Sequence, residues 1–200
     1  MILSNIEHYY RTHSRFYDLT RWAFLFGRAS VKNQFPELPP ESTILDLGCG
    51  TGNQLSALIK KYPQSNIIGM DMSPEMLNKA KKKFGTSIQL RRDYYNQESF
   101  KESELDLVIC SYSLTMFDGK EKALSNIQKH LKDTGSLVVV DFDSSPFEWF
   151  KKWMRLNHVD MRFEIFSKLK SLFPHHQYKG KKAYFGLYSY STFRARKTLR

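Results

Sequence analysis

The sequence predicts an α/β domain built on a largely parallel sheet. Three observations lead there. Strand and helix patterns alternate from Ser42 onward, a glycine-rich turn follows the first strand, and acidic residues close the second and third. Such alternation needs crossover helices, and crossovers make parallel sheets with right-handed connections. Two hundred residues, 41% hydrophobic and 26% charged, suit one domain whose core needs neither disulfides nor a metal.

The elements follow in order. Ile6, Tyr9, Tyr10 and His13 recur at helical spacing, as do Trp22, Leu25, Phe26 and Ala29. Residues 1–35 therefore read as an aromatic-rich helical arm, expected to work as a lid. Pro36, Pro39 and Pro40 end it and make a short linker. The core, residues 42–145, opens on the apolar strand Ile44–Leu47. A helix with Leu55, Leu58, Ile59 and Tyr62 on one face comes next, then the strand Asn66–Asp71. Ser73-Pro74 supplies a cap and an N1 proline for a helix bearing Met76, Leu77, Ala80 and Phe84, and Gly85 stops it. Ile88–Leu90 and Leu105–Cys110 are the third and fourth strands. Asp118 with Glu121 reads as a capping box opening a helix through Leu131. Leu137–Val140, apolar at every position, is a fifth strand buried between helix layers. Residues 146–200 hold one or two helices through Phe173. Two strand-like runs, Gln177–Lys181 and Tyr184–Phe193, close the chain and suit an antiparallel edge.

The strongest motif is Asp46-Leu47-Gly48-Cys49-Gly50-Thr51-Gly52-Asn53, directly after a strand. Glycines at such a turn let a nucleotide-like ligand lie against the backbone. The glycines fall as G-x-G-x-G, with Asn53 in the later slot of a dinucleotide fingerprint, so no pyrophosphate is expected at this helix N-terminus. Asp71 ends the second strand, twenty-one residues after Gly50, where a carboxylate can accept both hydroxyls of a ribose. Met72 can lie on the adenine face. Past the third strand, Asp93 can accept an adenine amino group, with Tyr94 beside it. Alone, each acid also suits a helix cap or a surface charge. At successive strand ends they form a cofactor site.

Together, residues from Ile44 to Phe142 resemble the class I S-adenosylmethionine-dependent methyltransferases. The resemblance implies a Rossmann-like, seven-stranded sheet in the order 3-2-1-4-5-7-6 with strand 7 antiparallel, and S-adenosylmethionine as cofactor. It also implies that Asp46 and the loop of Gly48, Cys49, Gly50 and Gly52 hold the methionine moiety. Asp71 would take the ribose, Asp93 the adenine, and Ser111 would pass close to the sulfonium. A narrower similarity lies in the flanks: Tyr17-Asp18-Leu19-Thr20-Arg21, Phe24–Arg28 and the run Tyr184–Ala195. These resemble bacterial lipid-headgroup N-methyltransferases of the diacylglyceryl homoserine or phosphatidylethanolamine type. An amine acceptor, lipid-borne or small, is the resulting expectation. Tyr9, Tyr10, Tyr17, Arg21, Ser111, Tyr112 and His158 are candidate lining groups, with Tyr17, Arg21, Ser111 and Tyr112 nearest the chemistry. Desolvation or a nearby base would free the amine lone pair.

Charge placement bears on partners. Residues 1–150 hold 18 basic and 18 acidic side chains, whereas residues 151–200 hold 13 basic against Asp160 and Glu164, which supplies the whole net charge of +11. A basic final quarter suits peripheral contact with an anionic membrane, a nucleic acid, or simply a soluble surface. Methylation of nucleic acid is the main alternative. Against it, the fourth-strand exit Ser111-Tyr112-Ser113-Leu114 lacks the Asn/Asp-Pro-Pro-aromatic turn shared by amino-methylating DNA enzymes, and Cys110 follows no proline. The intact loop and acids disfavour a non-catalytic cofactor-binding protein. His175-His176 is not at ligand spacing, and nothing suggests a metal. No apolar run reaches the roughly 20 residues of a membrane span, and the N-terminus reads as no signal peptide. Cys49 and Cys110 read as reduced thiols at strand ends. A cytoplasmic location follows, with peripheral membrane contact open.

Overall fold

Seven strands form one sheet in the order β3-β2-β1-β4-β5-β7-β6, in a computed structural model that describes residues 24–198. The strands are β1 Thr43–Leu47, β2 Asn66–Asp71, β3 Gln89–Arg92, β4 Leu105–Ser111, β5 Leu131–Ser144, β6 His176–Ala183 and β7 Tyr188–Arg196. The first five pair in parallel; β7 runs antiparallel to both β5 and β6. The helices are α1 Asn53–Lys61, α2 Pro74–Phe84, α3 Lys120–His130, α4 Glu148–Leu156 and α5 Ile165–Leu172. This is the expected sheet, with the expected antiparallel edge. Among the described residues, no helix is long and apolar enough to cross a membrane.

Alternation along the strands builds two cores. Ile44, Leu107, Ile109, Val138 and Val140 face α1, α2 and α4, while Leu45, Val108, Cys110, Leu137 and Val139 face α3 and α5. Because β1, β4 and β5 are covered on both faces, apolar residues occupy adjacent positions in them rather than only alternate ones. Asp46 interrupts the apolar run of β1 and is buried by it.

Local signals hold in part. Ser73 caps α2, accepting the Met76 N–H on its hydroxyl at 3.2 Å, with Pro74 at the first helical position and Gly85 closing the helix. Asp118 does not cap α3. The helix starts at Lys120 from Gly119, whose φ of 68° only a glycine adopts without strain. The left-handed turn thus replaces the expected capping box, and α3 ends at His130 because Leu131 already has extended dihedrals. Of the predicted arm, residues 1–23 lie outside the described residues. Its end differs from the expected α-helix: Arg28–Gln34 is a 3-10 helix entered through Gly27, left-handed at φ 80°. The segment packs tightly, with Val31 and Phe35 buried. The Tyr188 hydroxyl donates to the Phe24 carbonyl at 2.6 Å, and that of Tyr112 donates to the Phe26 carbonyl.

Candidate functional site

The site forms where strand order reverses. Leu47 is in register with Met70 of β2 and Cys110 of β4, so the chain leaves all three central strands at one level. A parallel sheet leaves a crevice outside its carboxyl ends at such a switch point. Here the crevice is a cavity of about 390 Å³, within the roughly 300–1,000 Å³ of small-molecule sites.

The glycine turn makes its floor. The Gly48 and Cys49 N–H groups both donate to the Met70 carbonyl, at 2.8 and 3.1 Å, which ties the turn to β2. Gly48, Gly50 and Gly52 all have positive φ, at 75°, 55° and 81°. A Cβ on Gly48 would lie 2.3 Å from that of Ser113, and one on Gly52 would lie 2.3 Å from the Phe84 ring. Those two glycines are demanded by packing. Gly50 has nothing within 4 Å of its Cβ position and lines the cavity, so its bareness leaves room for a ligand.

Asp71 organises the turn. One carboxylate oxygen accepts the Gly50 N–H at 2.8 Å and the other accepts the Ser73 N–H at 2.9 Å. Asp71 lines the cavity with Met72 and Tyr94. Behind this wall lies Asp46, 1% exposed, with neither carboxylate oxygen hydrogen-bonded among the described residues. Burial pushes its carboxyl up to about 7; the Arg28 guanidinium opposes the rise and Asp71 adds to it.

Arg28 is a site residue to which the sequence reading gave no role. It lines the cavity. The Asn53 amide, turned so that its oxygen faces the guanidinium, accepts from two Arg28 nitrogens at 2.9 and 3.1 Å. Gln54 Nε2 donates to the Arg28 carbonyl at 3.0 Å and reaches Ser111 Oγ at 3.5 Å. Gly27-Arg28, a left-handed glycine just before a cation, was the available signal.

The β4 exit forms the opposite wall. Ser111 and Tyr112 both line the cavity. Tyr112 holds a left-handed backbone, φ 56°, rare for a non-glycine residue and often found at functional sites. Its N–H bonds the Val140 carbonyl at 2.7 Å, and Ser113 Oγ donates to the Leu47 carbonyl at 2.7 Å. The following turn is pinned to β5 by Asp141, which accepts from the Thr115 hydroxyl at 2.6 Å and the Thr115 N–H at 3.2 Å. Asp118 and Lys120 at the start of α3, Arg155 in the last turn of α4, and His158, Asp160 and Arg162 in the connection after it also line the cavity. Asp160 and Arg162 form a two-bond pair at 2.9 and 3.0 Å, which lowers the Asp160 carboxyl to about 2.

Of the expected cofactor residues, Gly48, Gly50, Asp71, Met72, Tyr94 and Ser111 meet on this cavity. Gly52 and Asn53 support it from behind. The Cys49 side chain turns into the core, where burial pushes its thiol far up. Asp93 is exposed beyond the lining, its Oδ1 accepting the Tyr94 N–H at 2.7 Å. Among the candidate lining groups, Tyr112 and His158 join the wall, while Tyr9, Tyr10, Tyr17 and Arg21 lie outside the described residues.

Comparison with known proteins finds methyltransferases. Residues 44–135 match the model of a methyltransferase domain family. The chain is 34% identical over 161 residues to a ubiquinone/menaquinone biosynthesis C-methyltransferase of Wigglesworthia glossinidia brevipalpis, covering 74% of this chain and 64% of that protein. It is 31% identical over 119 residues to a trans-aconitate 2-methyltransferase of Escherichia coli, covering 60% of this chain and 43% of that protein. The match thus spans from about two fifths to just under two thirds of the length of these curated relatives. Among solved structures, Haemonchus contortus phosphoethanolamine N-methyltransferase 2, in complex with phosphomonomethylethanolamine and S-adenosylhomocysteine, superposes with a TM-score of 0.74. That match has 14% identity and covers 96% of this chain and 59% of the other. The fold is the Rossmann-like fold of these methyltransferases.

Proposed function

We propose that this chain transfers the methyl group of S-adenosylmethionine to an amine nitrogen of a polar headgroup, lipid-borne or free. The observation that carries the reading is the cavity at the strand ends. The glycine turn, Asp71 and Arg28 line it together with side chains of both charge signs, Asp118, Lys120 and Arg155 among them. The methyltransferase-domain match and the methyltransferase relatives support methyl transfer from S-adenosylmethionine; the amine acceptor rests on the charged lining of the cavity.

When bound, S-adenosylmethionine supplies a methyl group activated on a sulfonium. The residues present fit that group. Bare space at Gly50 admits it, and the Asp46 carboxylate, without a hydrogen-bond partner among the described residues, adds negative potential behind the turn. Asp71 would hold the ribose hydroxyls and Arg28 the methionine carboxylate. Met72 and Tyr94 would flank the adenine, with Asp93 just beyond them.

Little covalent work is left to the protein. It must align a neutral lone pair with the bond being broken and keep water out. Ser111 and Tyr112 shape the wall past which the acceptor nitrogen approaches. Asp118 attracts an ammonium, while Lys120 and Arg155 attract the anionic part of the same headgroup. His158, on the same wall, accepts the proton that the ammonium must lose before its nitrogen forms the new C–N bond.

The test is incubation with isotope-labelled S-adenosylmethionine, followed by mass spectrometry of lipid amines, free zwitterionic amines, RNA and DNA in parallel. Label on an amine headgroup is expected. Label confined to nucleic acid, or to carbon or oxygen acceptors, overturns the acceptor; absence of cofactor binding overturns the site.

A further inference from the structure

Helix α4 carries two apolar stripes and only one is covered by the core. Phe150 and Met154 point inward and are buried. Trp149, Trp153 and Leu156 follow at spacings of four and three, which stacks them on a second face. Trp149 is 62% and Leu156 77% exposed. An amphipathic helix buries one stripe; a second exposed apolar stripe marks an interaction surface.

The stripe continues onto neighbouring segments. The Trp153 ring lies 5.7 Å from Phe24, and Phe24 lies 5.5 Å from Tyr184, at the turn between β6 and β7. That turn ends in Phe185, fully exposed and held in a left-handed conformation at φ 56°. Phe147, half-exposed, extends the stripe at the start of α4, 6.2 Å from Trp149. The rim is basic: Lys152 projects beside the tryptophans, and Lys181 and Lys182 precede the Phe185 turn, all exposed. Acidic Glu148 is engaged by Lys151 at 2.6 Å.

We infer that the face formed by Trp149, Trp153, Leu156 and Phe185 seats the protein on an anionic lipid bilayer. Amphipathic indole rings, an aliphatic residue and a protruding ring suit the boundary between headgroups and acyl chains, and a lysine rim suits their negative charge. A protein partner would answer the apolar stripe but would not by itself require that rim. Arg155, in the last turn of the same helix, and His158, just past it, line the cavity, so a seated molecule would turn its cavity toward the headgroup layer. The inference concerns a surface, not the acceptor, so vesicle binding and methyl transfer succeed or fail separately.

The full chain is sedimented with vesicles of phosphatidylcholine, with and without phosphatidylglycerol. Binding is expected only to the mixed vesicles. Trp149→Ala with Trp153→Ala should weaken it by about tenfold or more, and Lys152→Glu or Lys182→Glu by at least about fivefold each. Phe185→Ser, at a fully exposed position where folding is not at stake, should weaken it as well. Brominated lipids should quench the tryptophan emission of the parent more than that of the Trp149→Phe, Trp153→Phe variant, which keeps Trp22. No binding to anionic vesicles overturns the inference. So does binding that Phe185→Ser leaves unchanged. Concentration-dependent dimerisation abolished by Phe185→Ser, without vesicle binding, assigns the face to a second copy and overturns it too.

Discussion

Asp71 has two duties, and its removal should show both. Losing a charge-assisted hydrogen bond costs about 1.5–3 kcal/mol, so Asp71→Ala should lower S-adenosylmethionine affinity by about one to two orders of magnitude in calorimetry. Because Asp71 also holds the Gly50 and Ser73 N–H groups, the mutant should melt earlier even without ligand. Unchanged affinity would remove Asp71 from the site. The glycines separate in the same way. Gly50→Val finds open space for its side chain but puts a β-branched residue into a left-handed backbone at φ 55°, so it should abolish cofactor binding and also cost about 1–2 kcal/mol of stability. Gly48→Ala would press on Ser113 at 2.3 Å and should cost about 1–3 kcal/mol in urea titrations.

At the scale of elements, the segment leading into β1 bears on catalysis. A lid would loosen without ligand and tighten with it. Residues 24–35 are instead anchored by Tyr188 and Tyr112 and buried at Val31 and Phe35. Amide exchange over 28–35 should therefore be slow with and without S-adenosylhomocysteine; a large ligand-dependent change would make this segment the moving part. The turn after β4 is held in another way. Thr115→Val removes one of the hydrogen bonds to buried Asp141, and should cost about 1–3 kcal/mol while weakening acceptor affinity more than cofactor affinity.

For the whole molecule, the buried acids set a pH dependence. Burial raises Asp46 to about 7 and Asp141 to about 6, both from 3.8. A carboxyl whose folded pKa exceeds its unfolded value holds its proton more tightly when folded, so ionisation favours unfolding. Stability should therefore be greatest, for these groups, near pH 4, fall as pH rises toward 7, and level off above. The Asp46 part is on the order of 4 kcal/mol. Asp46→Asn should flatten that slope in melts taken between pH 4 and 8 and raise stability at the alkaline end. An unchanged slope would mean that Asp46 ionises as an ordinary surface acid does.

What the sequence determined by itself is the part of the molecule written in near neighbours. Alternating and continuous apolar runs set the strands, Ser73-Pro74 and Gly85 bounded α2, and the glycine turn with Asp71 located the cavity. These signals depend on residues a few positions apart, so they survive reading along the chain. The sheet order came through resemblance, and the structure has it. Packing alone decided the rest. Strand alternation buried Asp46 and turned Cys49 into the core. A left-handed Gly119, rather than the side chain of Asp118, began α3. Arg28 reached Asn53 across 25 positions of chain, and the connection after α4 brought His158, Asp160 and Arg162 to the cavity. The second stripe of α4 reads in sequence as one more apolar face; only the fold shows which face the core takes and which it leaves out. Such contacts join residues distant along the chain, and they exist only once burial of the two core faces has brought those segments together.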